Sequence, residues 1–179
     1  YEKYKNNLLG VISDVGFAMH KEEDSENEVL DAGLQLVRHI RQDDPMMPVL
    51  LQSSQGSIAE TAQELGVGFL EKYSKTLMLQ LSDYIKEEFG FGDFIFRDSD
   101  HIEYGRASNL KELETLVTTV PEDVLLRATS KNMLSKWFYA RGLFTLGSKV
   151  KDVQESHFPT VPAMRAYVSQ QIHDFHALM

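Results

Sequence analysis

The sequence contains no cysteine, which excludes a disulfide framework, a thiolate metal site and a cysteine nucleophile. It also lacks an uninterrupted apolar run long enough to cross a bilayer, and its opening residues, YEKYKNN, have no apolar signal-peptide core. A cytoplasmic location with no membrane partner is expected. Basic side chains are in the minority: 18 Lys and Arg stand against 27 Asp and Glu, a formal net charge of -9. A protein that wraps nucleic acid needs clustered cations to displace phosphate counterions, so no nucleic-acid partner is expected. Gly-rich nucleotide loops are missing too. What is present is an ordinary globular balance, 42% hydrophobic and 25% charged residues over 179 positions. That argues against disorder and is enough chain to bury a core without staples.

The first half alternates strand and helix signals. LLGVIS, from residue 8, is short and continuously apolar, as a parallel strand buried on both faces should be. Leu30, Leu34, Val37 and Ile40 then recur at helical spacing until the DDP at residues 43–45 stops the helix. PVLLQSS reads as a second buried strand, and SIAETAQEL as a short helix with Ser57 and Glu60 as a capping box. GVGFLEK reads as a third strand, followed by a helix whose inner face carries Leu77, Met78, Leu81 and Ile85. Strand and helix in this order predict parallel strands joined by right-handed crossovers. YEKYKNN reads as the tail of a preceding helix, so the sequence resembles a piece of a longer chain.

Near residue 89 the pattern changes. DFIFR and HIEYG flank a polar DSD turn and predict an antiparallel hairpin. Helices follow: one from about Leu110 to Thr118, one opened by Pro121, a long one through Trp137 and Phe144, and one after PTVP. Trp137, Phe138 and Phe144 fit a helical core face. The expected organisation is an α/β domain over residues 1–88 and a hairpin plus helical module over 89–179, with Gly90 and Gly92 as the hinge. The acidic run KEEDSENE lacks the Gly and Glu positions of a calcium loop and reads as a solvated loop. His173 and His176 lie three apart on the last helix and read as surface residues without a third metal ligand. Arg106, Arg127 and Arg141 form either an anion pocket or ordinary ion pairs.

Ligands of open parallel sheets gather outside the carboxyl ends of the strands. Three polar residues stand there: Asp14 after LLGVIS, Ser53 after PVLLQ, and Lys72 after GFLE. A carboxylate that attacks phosphorus, a hydroxyl that bonds a phosphoryl oxygen and an ammonium that balances charge make a set suited to phosphoryl transfer. The alternative for Asp14 alone is a turn former.

With Phe69 three positions before Lys72, this order of strands and end residues resembles the later part of a response-regulator receiver domain, and DAGLQLVRHIR resembles the helix after its acceptor aspartate. The resemblance implies a partial flavodoxin-like receiver with Asp14 as phospho-acceptor, Ser53 and Lys72 sensing the phosphoryl group, and Phe69 as the aromatic that changes rotamer. A receiver also holds Mg²⁺ with an acidic pair at the end of its first strand. No such pair precedes Asp14 here, so Mg²⁺ is expected only with upstream residues present, Asp14 being one candidate ligand. Tyr73 stands where proline is usual.

NNLLGVISDV, MPVLLQSS, GVGFLEK, FGFGDFIFRD, GRASNLKELE, VPEDVLL and the pair SKWF and AR together resemble the amino-terminal regulatory region of a bacterial phosphoenolpyruvate synthase-like protein. That implies a non-catalytic regulatory piece of a phosphotransferase, a phosphoprotein of phosphorelay type. Its implied partners are the catalytic domains of the parent and a histidine kinase or other phosphodonor. The alternative is a pseudo-receiver scaffold that is never phosphorylated. An independent small enzyme would lack a complete catalytic set. Self-association through the edge of LLGVIS is expected if no preceding strand covers it.

Overall fold

The computed structural model describes residues 1–5, 8–16 and 31–178, and KEEDSENE lies outside the described residues. The chain divides into two compact units, Tyr1–Tyr84 and Ile85–Met179. It is an α/β protein with a three-stranded parallel sheet, a two-stranded antiparallel sheet and eight α-helices among the described residues.

In the first unit, β1 (Val11–Asp14), β2 (Val49–Ser53) and β3 (Gly68–Glu71) alternate with α1 (Ala32–Asp43), α2 (Ile58–Glu64) and α3 (Leu77–Glu88), which runs on into the second unit. The parallel sheet has the order β1-β2-β3. Val49, Leu50 and Leu51 of the central strand are fully buried, as a continuous apolar run predicts for a strand covered on both faces. Val49 and Leu51 meet Val37 and Ile40 of α1 and Ala62 of α2. On the opposite face Gly68 lies against the Tyr84 ring and Leu50, and the Tyr84 hydroxyl donates to the Val49 carbonyl at 2.8 Å. β1 departs from expectation. It begins only at Val11 and leaves Ile12 exposed, where burial on both faces was expected; among the described residues it pairs with β2 alone.

Two local expectations fail for identifiable reasons. Ser57 already has helical angles and makes no side-chain cap bond, because the preceding turn closes through Ile58 N–H to the Gln55 carbonyl and Ala59 N–H to the Gly56 carbonyl. No residue of α3 is fully buried, and Met78 is 74% exposed. Leu77, Leu81 and Ile85 are half-buried as expected, and Tyr84 shares that burial with its ring against Gly68. Residues 1–5 form a turn rather than a regular helix, tied to the end of α1 by Tyr1 and Lys5, which both bond the Asp43 carboxylate at 2.9 Å. Arg41 binds α1 to the loops beside it, donating to the carbonyls of Met47 and Gly66 at 2.7 and 2.9 Å.

The second unit begins with the hairpin of β4 (Phe94–Arg97) and β5 (Glu103–Ala107), followed by α4 (Leu110–Thr119), α5 (Glu122–Ser130), α6 (Met133–Ala140), α7 (Phe144–Val150) and α8 (Val161–Ala177). The Asn109 side chain caps α4 by accepting the Glu112 N–H, and Glu112 reaches back to the Ser108 N–H; Thr160 caps α8 in the same way. The expected long helix through Trp137 and Phe144 is two helices. Gly142, at φ 73°, ends α6, with Gly142 N–H bonded to the Tyr139 carbonyl and Leu143 N–H to Phe138, the pairing that a left-handed residue allows at a helix end. The break leaves Phe144 exposed, while Trp137 and Phe138 stay in the core beside Phe94 and Phe96.

Gly90 and Gly92 are not a free hinge. Arg141 donates to both of their carbonyls at 2.8 Å, Trp137 Nε1 donates to Gly92 at 3.1 Å, and the guanidinium lies 3.6 Å from the Trp137 ring centroid. Gly90 has φ 79°, and a Cβ there would sit 2.9 Å from the backbone of Trp137. No helix among the described residues is long and apolar enough to cross a membrane.

Trp137 is 1% exposed, so Trp137→Ala removes a large buried ring together with the partner of Arg141. It is expected to cost about 3–5 kcal/mol. Urea melts check this, and a loss below about 1 kcal/mol would show that the ring is not central to the core.

Candidate functional site

The site is built at the carboxyl ends of the parallel strands. Asp14 is the last residue of β1 and sits opposite Gln52 in the ladder, while Ser53 sits opposite Glu71. The ladder continues one residue further, with Val15 N–H donating to the Gln52 carbonyl at 3.1 Å and Lys72 N–H to the Ser53 carbonyl at 2.9 Å. Side chains alternate along each strand, so Asp14 and Lys72 project from one face of the sheet end. Strands lie about 4.8 Å apart, and the long lysine side chain reaches past β2 to join its ammonium to Asp14 Oδ2 in an ion pair. The other carboxylate oxygen accepts the Val15 N–H at 2.9 Å.

What holds Asp14 in place is α1. Gly33 N–H donates to the Val15 carbonyl at 2.7 Å. A Cβ at position 33 would run into the Asp14 carbonyl oxygen and come 2.8 Å from Val15 Cα. Ser13 adds a bond from its hydroxyl to the Asp14 carbonyl at 2.8 Å. Sequence reasoning placed Gly33 inside the helix motif without a role. Its signal was a helix-disfavoured residue in the first turn of the helix that follows β1.

The structure joins two of the four expected site residues, Asp14 and Lys72, while by the same alternation Ser53 and Phe69 stand on the other face of the sheet. Ser53 is 6% exposed and its hydroxyl accepts the Gln55 N–H at 3.1 Å, which is the loop-satisfying role that serine often takes. Phe69 is partly buried and packs against the apolar cluster of Val37, Leu51 and Ala62. Arg106 pairs with Glu103 and Asp93, and Arg141 is bound to Gly90 and Gly92, so these arginines do not make a common anion pocket. His173 and His176 both meet Glu114.

Magnitudes decide what the Asp14 pair is for. The Lys72 and Asp14 side chains remain 37% and 41% exposed, and such pairs contribute about 0–1 kcal/mol to folding. The fold does not need this ion pair. Chemically, a water-accessible carboxylate with an ammonium beside it suits attack on an electrophilic centre whose charge the cation then balances. Mg²⁺ demands near-octahedral oxygen coordination. Asp14 offers one carboxylate, already shared with Lys72, and no group of three acidic, histidine or cysteine residues among the described residues is arranged to hold a metal ion. The described residues alone do not fit Mg²⁺.

Two substitutions separate structure from chemistry. Lys72→Met is expected to change folding stability by less than about 1 kcal/mol. Gly33→Ala is expected to cost about 1–3 kcal/mol, because the added methyl group has backbone and not a flexible side chain against it. Chemical denaturation measures both.

Compared with known proteins, the chain matches no family model, no curated protein and no solved structure.

Proposed function

We propose that the first unit is a receiver-like regulatory module, a partial flavodoxin-like sheet in which Asp14 accepts a phosphoryl group, within a protein of the phosphoenolpyruvate synthase-like type. The observation that carries the reading is the Asp14 and Lys72 pair at the carboxyl ends of parallel strands, built where it adds little to stability. The placement of α1 and α2 on one face of the sheet and Tyr84 of α3 on the other supports a doubly wound arrangement.

In this mechanism an Asp14 carboxylate oxygen attacks phosphorus. The new O–P bond forms as the bond from phosphorus to the donor's leaving group breaks, and that group departs with the electron pair. Lys72 exchanges its carboxylate partner for a phosphoryl oxygen. Ser53 turns its hydroxyl from the Gln55 N–H toward the same group, and Phe69 follows into the space left on the apolar face. The local gain of negative charge biases the strand-end loops between two arrangements. The reading includes as partners the catalytic domains of the parent protein, a histidine kinase or other phosphodonor, and a second copy along β1.

The absence of cysteine allows a metal-free test. Asp14→Cys introduces a single thiol, which is alkylated with a phosphonate-bearing reagent or with a neutral reagent of similar size. The phosphonate adduct is expected to shift the amide resonances of Ser53, Phe69 and Lys72 beyond the changes caused by the neutral adduct. Identical spectra for the two adducts would overturn the switch and leave the pseudo-receiver scaffold.

A further inference from the structure

The second unit holds a cluster of titratable side chains that the proposed switch does not use. Glu114, in the middle of α4, is 24% exposed at its side chain and meets two imidazoles from α8. His173 Nδ1 lies 2.8 Å from one carboxylate oxygen and His176 Nδ1 lies 3.1 Å from the other. An ionised carboxylate only accepts, so each Nδ1 carries a hydrogen; a neutral imidazole satisfies this in one tautomer, while an imidazolium always does. The rest of the helix pair is held differently. Arg165 donates to the Val117 and Val120 carbonyls at 2.5 and 2.7 Å, capping the end of α4, and Met164, Val168 and Ile172 are fully buried. The helix α8 thus has an apolar, arginine-held first part and a last part joined to α4 through ionisable groups.

We propose that Glu114, His173 and His176 form a proton-gated latch that fastens the last turns of α8 to α4. The neighbouring charges on the two helices have other engagements. Glu112 bonds Ser108, Asp174 accepts the Gln170 amide at 2.6 Å, and Arg165 is spent on carbonyls; Lys111 stands one turn before Glu114 on an exposed position. From α7, the Lys149 backbone carbonyl takes the Tyr167 hydroxyl. On α5, Arg127 lies in the last turn and Glu122 and Asp123 in the first, and His157 ends the short turn before α8.

The sign follows from the groups themselves. The bonds from His173 and then His176 hold the Glu114 carboxyl below its ordinary value of 4.5, against the opposing effect of burial. Its contribution is therefore present above that ordinary value and is lost as pH falls through the lowered one. An imidazolium always donates from Nδ1 to the carboxylate, whereas a neutral imidazole does so only in one tautomer and without the opposite charge. The latch is stronger where the imidazoles are charged than where they are neutral.

Amide hydrogen exchange tests this on the whole chain, read as protection factors so that intrinsic pH effects cancel. Protection of residues 173–178 is expected to be about threefold or more greater near pH 5.5 than near pH 8, with residues 164–168 changing far less. Glu114→Gln should flatten the dependence of 173–178, and the double variant His173→Gln with His176→Gln should do the same. Equal wild-type protection at the two pH values, or a dependence that survives in Glu114→Gln while 164–168 stay protected, would overturn the latch.

Discussion

The seating of α1 on the end of β1 is the contact on which the strand-end site depends. It has two parts: the Gly33 N–H bonded to the Val15 carbonyl, and a gap at position 33 that no side chain fits. Because the helix rests directly on the Asp14 and Val15 backbone, the carboxylate is held at the ladder's end with its side chain on the face that Lys72 reaches. A larger residue at 33 would lift the helix, and the apolar contacts of Val37 and Ile40 with β2 would move with it. The buried face of the helix and the orientation of a polar group are therefore one constraint.

The second unit uses a glycine in the same sense at Gly90, where the backbone passes within van der Waals reach of Trp137. Arg141 then closes the loop by supplying donors to two carbonyls and a cation to the face of the indole. Burial lowers the ordinary proton affinity of this guanidinium, yet the group retains its charge, since arginine stays protonated in proteins. Partial desolvation is offset by hydrogen bonds that would otherwise be missing from buried carbonyls. The apolar core of Phe94, Phe96, Trp137 and Phe138 is thereby connected to the turn that enters the hairpin.

Polar groups in the two units fall into different energetic classes. Arg41, Arg141 and Arg165 bond backbone carbonyls and so complete helix ends and turns. Asp14 with Lys72, and Glu114 with His173 and His176, pair side chain with side chain near water, where the contribution to folding is small. Charges of the second class can respond to a new ligand or a new proton without undoing the core.

Much of the architecture was legible because it follows from local rules. The VLL of β2 announced a strand covered on both faces, the alternation of strand and helix announced parallel pairing, and DFIFR with HIEYG announced the hairpin. Three strand-end residues, Asp14, Ser53 and Lys72, were placed by the same reasoning, since strand ends follow from hydrophobic runs. Tertiary structure alone decided the remainder. Whether Ser57 caps a helix depends on where the preceding turn closes, and whether Met78 faces inward depends on which side of α3 meets the sheet, the side that carries Tyr84. The break at Gly142 needed a left-handed residue bonded back to Phe138 and Tyr139, and the meeting of Glu114 with His173 and His176 joins residues about sixty positions apart. Sequence patterns report the period of burial along one element. They do not report the close approaches between elements, where a glycine, an arginine or a pair of imidazoles determines which side chains meet.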